Sequence, residues 1–333
     1  MTLKHSQIHT TFGIIDQVIL QNPNGLCVTT LSYAASIYEI RYQDEMITAH
    51  PESIDAFLNA KLNYGRTMGR TSGRTHLSPF TIEGHSYQVS KNIPGDYQLH
   101  GGHLGFSNRL FTLQDFYSND KKSLVTYRLI SPHLEEGFPG EIDLRVTYTL
   151  YANDSLEITY DATTTHATYL NLTNHTYFNL NPYHDILDHQ LKIPSKFYLL
   201  KDALFNFKSI EPVDFIHDFT EPTVIASKQH KEGYDDVFFF FLDDRKVSIS
   251  HPNRDFYLKF ETDYPCVVLY THNLTSPYLN PLYPNKGIFS GIAIECQYAP
   301  GGIHESVLNW PVYTKDKPYH HYITIQIKKR PLR

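Results

Sequence analysis

A glutamate in an apolar strand is the first candidate for chemistry in this sequence. Glu295 interrupts the run IAIECQ, which begins at Ile292. If the side chain faces inward, it must be hydrogen-bonded or have its pKa raised by desolvation, and a raised pKa favours general-base chemistry. If it faces outward, it is a solvated residue of an edge strand. The alternation leaves both interpretations open, because apolar residues occur on both faces of the run.

A histidine in a polar segment is the second candidate. His175 lies in NLTNHTYFNL, the segment from Asn171 to Leu180. We expect neighbouring polar side chains to fix its tautomer by hydrogen bonding, and these are Thr173, Asn174, Thr176 and Asn179. A histidine held in this way is a candidate proton donor near neutral pH. The alternative is a structural histidine whose hydrogen bonds are satisfied in the core.

Glycine and arginine alternate in NYGRTMGRTSGR, between Asn63 and Arg74. The segment has neither the GK[ST] ending nor the following helix of a phosphate-binding loop. Its spacing is compatible with a tight loop in which Arg66, Arg70 and Arg74 donate to ligand hydroxyls. An exposed basic turn is the alternative.

Two further segments carry candidate binding groups. In LHGGHLGFSNR, His100 and His103 flank a glycine pair that allows close backbone approach to a ligand, but no third ligand at metal spacing accompanies them. We therefore predict no metal site there. In GYDD, Asp235 and Asp236 stand just before an apolar run, where they are either ligand-binding carboxylates or a turn.

The elements that must position these groups are strands. LRVTYTL and LEITY alternate around the turn residues Asn153, Asp154 and Ser155, which is typical of a β-hairpin. A second hairpin is predicted over 246–260, and a last strand begins at His321. The one helix predicted spans 53–62, with Ser53 as its cap.

Composition agrees with an all-β fold. The 333 residues include 25 Tyr and 20 Phe, which pack well on pleated surfaces, and no linker or charge shift divides the chain. We therefore expect one domain over 1–333, a single large antiparallel β-sandwich. The net charge of −6 disfavours nucleic acid as a partner.

Cysteine usage and hydropathy address the cellular location. Three scattered cysteines suggest a reducing compartment, so we expect a cytoplasmic protein. The sequence has neither a signal-peptide pattern nor a run of about 18 apolar residues, and no membrane partner is expected.

Taken in order, these segments resemble the aldose 1-epimerase (galactose mutarotase) family. The resemblance runs from LSYAA at Leu31, which is similar to an early strand of the family, through GRTSGR, LHGG, GFPGEIDLRVTYTL, NLTNHTYFNL and GYDD to IECQ. It implies a galactose mutarotase-like supersandwich and an isomerase that interconverts the α and β anomers of free aldose sugars. No metal, nucleotide or other cofactor is implied, and the chain is expected as a monomer or homodimer.

The same resemblance assigns roles to individual residues. Glu295 resembles the general base that takes the proton from O1, and His175 resembles the general acid that protonates the ring oxygen O5. The substrate-binding residues it implies are His100, Arg74, Asp235 and Tyr177.

The sequence departs from the family pattern at several positions. Gly73 replaces an asparagine, Val268 replaces a glutamine that contacts the sugar, and Ala299-Pro300 follows the IECQ segment in place of Pro-Asp. None of these changes removes the acid or the base.

Three other functions stay open at this point. A hexose-6-phosphate 1-epimerase would use Arg66 and Arg70 for the phosphate. A non-catalytic sugar-binding module would share the scaffold, although keeping both Glu295 and His175 argues against it. A metal-dependent β-barrel enzyme is the third.

Overall fold

The computed structural model describes residues 1–203, 205–240 and 244–330. Its first thirteen strands are β1 (Thr2–Thr10), β2 (Gly13–Gln21), β3 (Leu26–Leu31), β4 (Ser36–Tyr42), β5 (Glu45–Met46), β6 (Thr67–Met68), β7 (Arg74–His76), β8 (Phe80–Ile82), β9 (His85–Tyr87), β10 (Tyr97–Leu99), β11 (Thr112–Ser118), β12 (Lys122–Ser131) and β13 (Ile142–Tyr151). The remaining strands are β14 (Ser155–Thr164), β15 (Thr173–Asn174), β16 (Tyr177–Phe178), β17 (Gln190–Lys192), β18 (Phe197–Lys201), β19 (Phe207–Pro212), β20 (Thr223–Val224), β21 (Asp235–Phe239), β22 (Lys246–Ser250), β23 (Phe256–Thr262), β24 (Cys266–Tyr270), β25 (Ile292–Gln297) and β26 (Tyr319–Lys329).

Helices contribute little to the architecture. The α-helix α1 (Ile54–Asn59) is capped by the Ser53 hydroxyl, which accepts a hydrogen bond from the Ala56 amide. Single turns of 3₁₀ helix occur at Phe106–Asn108, Glu135–Gly137, Ile225–Lys228, Pro284–Gly287 and Ser306–Leu308. No helix in the described ranges is long and apolar enough to cross a membrane.

Three antiparallel sheets build the sandwich. The largest has nine strands in the order β11, β12, β13, β14, β26, β23, β22, β17 and β20. A six-stranded sheet runs β16, β25, β24, β21, β18, β19, and a five-stranded sheet runs β1 to β5 in sequence. A continuous buried cluster joins them: Val146 of the largest sheet, Ile294 of the six-stranded sheet and Val28 of the five-stranded sheet belong to it.

Most of the predicted elements are confirmed. Both hairpins form, because β13 pairs with β14 and β22 pairs with β23 in antiparallel register. The last strand is β26, and Ser53 caps the predicted helix, which ends at Asn59 rather than continuing to residue 62. The all-β antiparallel fold class is likewise confirmed.

One motif lies outside the strand that was expected for it. Leu31 ends β3, and the rest of the segment LSYAA forms the turn between β3 and β4, where Ala34 and Ala35 take positive φ angles of 58° and 37°. The Ala34 amide donates to the Arg109 carbonyl at 2.7 Å, which holds this turn against a distant part of the chain.

The aromatic excess is mostly structural. Many Tyr and Phe side chains are fully buried, including Tyr127, Tyr148 and Tyr160 on the inner face of the nine-stranded sheet. Phe178 and Phe260 pack edge to face across the two facing sheets with ring centroids 5.0 Å apart. Such contacts fill the sandwich interior efficiently.

Candidate active site

The candidate site is a cavity of about 680 Å³ over one face of the six-stranded sheet. All of the residues predicted for the site line it, namely Arg74, His100, His175, Tyr177, Asp235 and Glu295. The structure therefore brings together groups that are separated by more than two hundred positions in the chain.

The register of the sheet explains how its floor is arranged. In one row across the sheet, Tyr177 pairs with Ala293, Ala293 with Tyr270 and Tyr270 with Asp235. Glu295 stands in the next row, opposite Val268. Paired residues of neighbouring strands point to the same face of a sheet, so the two rows present their side chains to the cavity together.

The packing around β25 shows which way Glu295 faces. Ile292, Ile294 and Cys296 belong to the main core, so the alternate residues point to the other face, toward the cavity. The Glu295 side chain is nevertheless only 5% exposed. The inward-facing alternative is the one that the structure adopts.

Glu295 and His175 stand next to each other at the bottom of the cavity. The Glu295 Oε1 atom lies 3.5 Å from His175 Nε2, and both side chains are buried. The main chain holds the histidine in place, because its amide donates to the Arg66 carbonyl at 3.0 Å and its carbonyl accepts from the Gly65 amide at 2.9 Å. A carboxyl group and an imidazole in this arrangement can act on two neighbouring oxygens of one ligand.

Burial shifts the pKa of both groups. Desolvation, with a smaller contribution from the Asp235 charge, raises the pKa of Glu295 to about 8, against a lowering effect of Arg74. Desolvation, followed by the effect of nearby His272, lowers the pKa of His175 to about 4. Between these values the pair holds one proton, and in the free site that proton lies on the carboxyl.

The hydrogen bonds of His175 differ from the prediction. Nδ1 has no partner among the described residues, and the Thr173 hydroxyl likewise has none. The Asn174 amide donates to the Gly65 carbonyl, and its oxygen accepts from the amide and hydroxyl of Thr176. The polar neighbours therefore stabilise the backbone around His175 and do not fix the tautomer of its ring. The prediction that they hold the ring by hydrogen bonding was wrong.

His100 enters the cavity from the loop that follows β10. Its Nδ1 atom accepts a hydrogen bond from the Gly73 amide at 3.1 Å, and burial lowers the pKa of the imidazole well below its usual value. A neutral ring whose Nδ1 accepts must carry its proton on Nε2. His100 is thus set to donate a hydrogen bond, and its ring stands edge to face against His175 with centroids 5.8 Å apart.

Arg74 and Asp235 form the polar side of the cavity. Arg74 Nη1 donates to Asp235 Oδ2 at 3.3 Å, and the guanidinium lies 3.7 Å from the centre of the Phe205 ring. Lys201 Nζ donates to the Asp235 carbonyl oxygen. Both partners of the ion pair are partly exposed, so their remaining polar atoms are available to ligand hydroxyls.

Tyr177 contributes packing more than a free polar group. Its hydroxyl donates to the Leu62 carbonyl at 3.1 Å. Its ring packs against His175 and His272, each with centroids 4.9 Å apart. The side chain therefore forms a wall that fixes the orientation of the His175 ring.

Two of the three arginines in the glycine-rich segment lie away from the cavity. Arg66 donates to the carbonyls of helix α1, and Arg70 donates to several carbonyls that include Ser131, Pro132 and Gly140. Both are almost completely buried. The expectation that they form an exposed turn or bind ligand was wrong, because each guanidinium instead donates to several backbone carbonyls inside the protein.

The glycine pair after His100 also has a different use from the one predicted. A Cβ on Gly101 would lie 2.0 Å from the Gly69 carbonyl oxygen. The close approach is therefore between two loops of the protein, and it places His100 beside Gly73.

Sequence reasoning missed several residues of the cavity. Tyr270, Phe205 and Gln297 line it. The register of β24 with β25 was the missing signal for Tyr270, and it cannot be read from alternation alone. Within the described part of the chain, no group of three or more His, Cys, Asp or Glu side chains is placed to hold a metal ion.

Comparisons with known proteins agree with this fold. A sequence model of the family described as aldose 1-epimerase matches residues 16–326. The aldose 1-epimerase of Haemophilus influenzae is 31% identical over 326 residues, which cover 87% of this chain and 90% of that protein. The galactose mutarotase of Rattus norvegicus is 29% identical, with 88% of each chain covered. The crystal structure of galactose 1-epimerase from Lactobacillus acidophilus superposes with a TM-score of 0.87 at 21% identity and covers 99% of this chain and 100% of that chain.

Proposed function

Because the chain belongs to the aldose 1-epimerase family, we propose that it interconverts the anomers of free hexoses with Glu295 as the base and His175 as the acid. The observation that supports these roles most directly is the buried contact of 3.5 Å between the two side chains at the bottom of the cavity. Galactose is the sugar proposed first, since relatives of the chain are named galactose mutarotases.

The reaction needs two proton movements around one ring. To open the hemiacetal, Glu295 accepts the O1 proton while His175 delivers a proton to O5, and the C1–O5 bond breaks to leave an aldehyde. Rotation about C1–C2 then presents the other face of the carbonyl. On closure His175 takes the proton back from O5 as it attacks C1, and Glu295 returns a proton to O1.

The single shared proton fits this cycle. Ring opening starts with the proton on His175 and ends with it on Glu295, so the pair carries one proton throughout. The free site holds that proton on the carboxyl, which is the arrangement required with the open-chain sugar. Binding a cyclic sugar must therefore move the proton toward the imidazole. Donors that stabilise the Glu295 carboxylate, such as the sugar O1 hydroxyl, favour that movement.

The other polar groups hold the sugar in place. Arg74 and Asp235 offer a donor and an acceptor to ring hydroxyls, and His100 offers its Nε2 proton. Orientation of this kind supplies much of the rate because it presents O1 and O5 to the pair at once.

The rate of anomer interconversion tests the function directly. Freshly dissolved α-galactose is followed by polarimetry with and without protein. We expect the approach to equilibrium to accelerate in proportion to protein concentration above the spontaneous rate. An unchanged rate at micromolar protein would contradict the proposal.

A phosphorylated substrate is a weaker alternative. Its support in the sequence came from Arg66 and Arg70, and both side chains are committed to backbone carbonyls away from the cavity. The same assay with glucose 6-phosphate distinguishes the two reactions. We expect the higher kcat/KM on the free sugar.

We also propose a cytoplasmic location. The three cysteines Cys27, Cys266 and Cys296 are free thiols, and reducing compartments preserve free thiols. Fractionation of cells of the source organism, followed by immunodetection, tests this location.

A further inference from the structure

We propose that Gln297 is a further substrate-binding residue, whose side-chain amide holds the O2 hydroxyl next to the anomeric carbon. The inference rests on the proposed function and adds to it a contact that determines which sugars are accepted. The proton transfers proposed for Glu295 and His175 do not involve this residue.

The position of Gln297 in β25 gives the first reason. It lies two residues after Glu295, so both side chains point to the same face of the strand. Gln297 lines the cavity, and only 1% of its surface is exposed. It is therefore a buried amide immediately beside the proposed base.

The second reason is an unused hydrogen-bonding atom. Gln297 Oε1 is buried and has no partner among the described residues. Buried polar atoms are almost always hydrogen-bonded, and one without a partner calls for an explanation. A sugar hydroxyl in the cavity supplies the missing donor.

The strand end that carries Gln297 is held rigidly. The Asn171 side chain accepts from the Tyr298 amide at 2.8 Å and donates to the Tyr298 carbonyl at 3.0 Å. These two bonds fix the backbone directly after Gln297. A rigid backbone at this position reduces the entropy lost when the Gln297 side chain binds a ligand.

The order of rows across the sheet points to O2. Asp235 stands in the row on one side of Glu295, and Gln297 pairs with Cys266 in the row on the other side. With O1 at Glu295, the Arg74 and Asp235 pair binds hydroxyls on one side of the sugar, and Gln297 meets the other side. O2 is the hydroxyl nearest to O1, and it is carried by the atom about which the aldehyde rotates. A hydrogen bond to O2 keeps the rest of the open-chain sugar in place while the carbonyl group rotates.

The test compares two sugars that differ only at O2. Initial rates of anomer interconversion are measured for galactose and 2-deoxygalactose with the wild-type protein and Gln297→Leu, after subtraction of each spontaneous rate. We expect Gln297→Leu to lower kcat/KM on galactose by roughly 10- to 100-fold, the usual consequence of losing a buried hydrogen bond to a ligand. On 2-deoxygalactose the variant should fall less than threefold, because no O2 contact exists to lose.

Controls separate this effect from misfolding. Ile294→Val changes a neighbouring residue of the same strand that faces the core, and it should leave the ratio of kcat/KM between the two sugars unchanged. If Gln297→Leu does not melt like the wild type, Gln297→Met supplies an unbranched side chain of similar length. Equal losses on both sugars in a folded variant, or no loss on galactose, would overturn the proposal. A wild-type protein inactive on both sugars would instead refute the proposed function.

Discussion

At the residue scale, the proposed chemistry depends on which of two side chains carries a single proton. Glu295 and His175 are buried together, and burial moves their pKa values in opposite directions, upward for the carboxyl and downward for the imidazole. In water the order of the two pKa values is reversed, because a glutamate carboxyl has a lower pKa than an imidazole. The site therefore keeps a proton available on the pair over the whole neutral range.

The first prediction is a bell-shaped pH dependence of kcat/KM for galactose. Below about pH 4 both groups are protonated and no base remains. Above about pH 8 both have lost their protons and no acid remains. Activity should thus fall on both sides of a broad plateau, which initial polarimetric rates across pH 3.5–9.5 would reveal. A single rise through pH 6.5 with no loss at alkaline pH would contradict the assignment of the pair.

The second prediction concerns removal of either group. Glu295→Gln and His175→Asn should each lower kcat by about 10²- to 10⁴-fold, because each removes one of the two proton-transfer partners while preserving approximate shape. Far-ultraviolet circular dichroism should match that of the wild type. Near-normal turnover in either variant would remove that residue from its role.

The third prediction is that Glu295→Gln stabilises the protein at alkaline pH. The pKa of the carboxyl is about 8 in the folded chain and 4.5 in its unperturbed form. Between these values the folded state binds more protons than the unfolded state, so wild-type stability falls as the pH rises. Glutamine does not ionise and escapes that loss.

We expect the glutamine variant to exceed the wild type by about 1–3 kcal/mol at pH 9 and to match it near pH 4. Urea denaturation at both values measures the difference. An equal difference at pH 4 and pH 9 would show that the stabilisation has another source.

At the scale of elements, strand register determines which residues meet. The sequence predicted both hairpins, which are confirmed, and it named Glu295 and His175, which the structure places side by side. It could not predict that Tyr270 stands between Ala293 and Asp235, because that relation depends on the pairing of β24 with β25 and β21. Alternation indicates which residues share a face, but tertiary packing decides which face is covered.

The glycine-rich loop shows more clearly that a sequence pattern does not predict tertiary contacts. Arg66, Arg70 and Arg74 are alike in sequence, yet only Arg74 reaches the cavity. Arg70 is surrounded by carbonyls of a distant segment, from Ser131 to Gly140, whereas Arg66 donates to carbonyls of the preceding helix α1. Local spacing carries no information on such partners.

The fourth prediction concerns the position of the loop that carries His100. Gly101 has a φ of +84°, and a Cβ there would collide with the Gly69 carbonyl. Gly101→Ala should therefore displace His100, lower kcat/KM by at least tenfold and destabilise the fold. Gly84 provides a matched control, since its φ is +80° but no atom lies within 4 Å of the added carbon.

Gly84→Ala therefore introduces a strained φ but no collision. The strained φ commonly costs about 1 kcal/mol. The two alanine variants are compared by thermal melting and by kcat/KM on galactose. Equal losses of stability and activity in the two variants would show that the collision at Gly101 has no role.

At the scale of the whole molecule, the site and the core depend on the same sheets. One buried cluster contains residues from Val18 in the second strand to Ile327 in the last. Arg74 and Glu295 contribute to the same cavity although they lie far apart in sequence. We therefore propose that residues 1–333 form a single cooperative domain, the organisation expected from a sequence in which no linker interrupts the chain.

The fifth prediction is that the chain unfolds in a single transition. The only tryptophan, Trp310, is buried against Tyr169 and Tyr298, so its fluorescence reports on packing near the carboxyl-terminal part of the chain. Far-ultraviolet circular dichroism reports on all three sheets. If the chain is one domain, urea curves from the two signals should coincide in midpoint and slope. Two domains would give separate midpoints, because the five-stranded sheet near the amino terminus would unfold without changing the surroundings of Trp310.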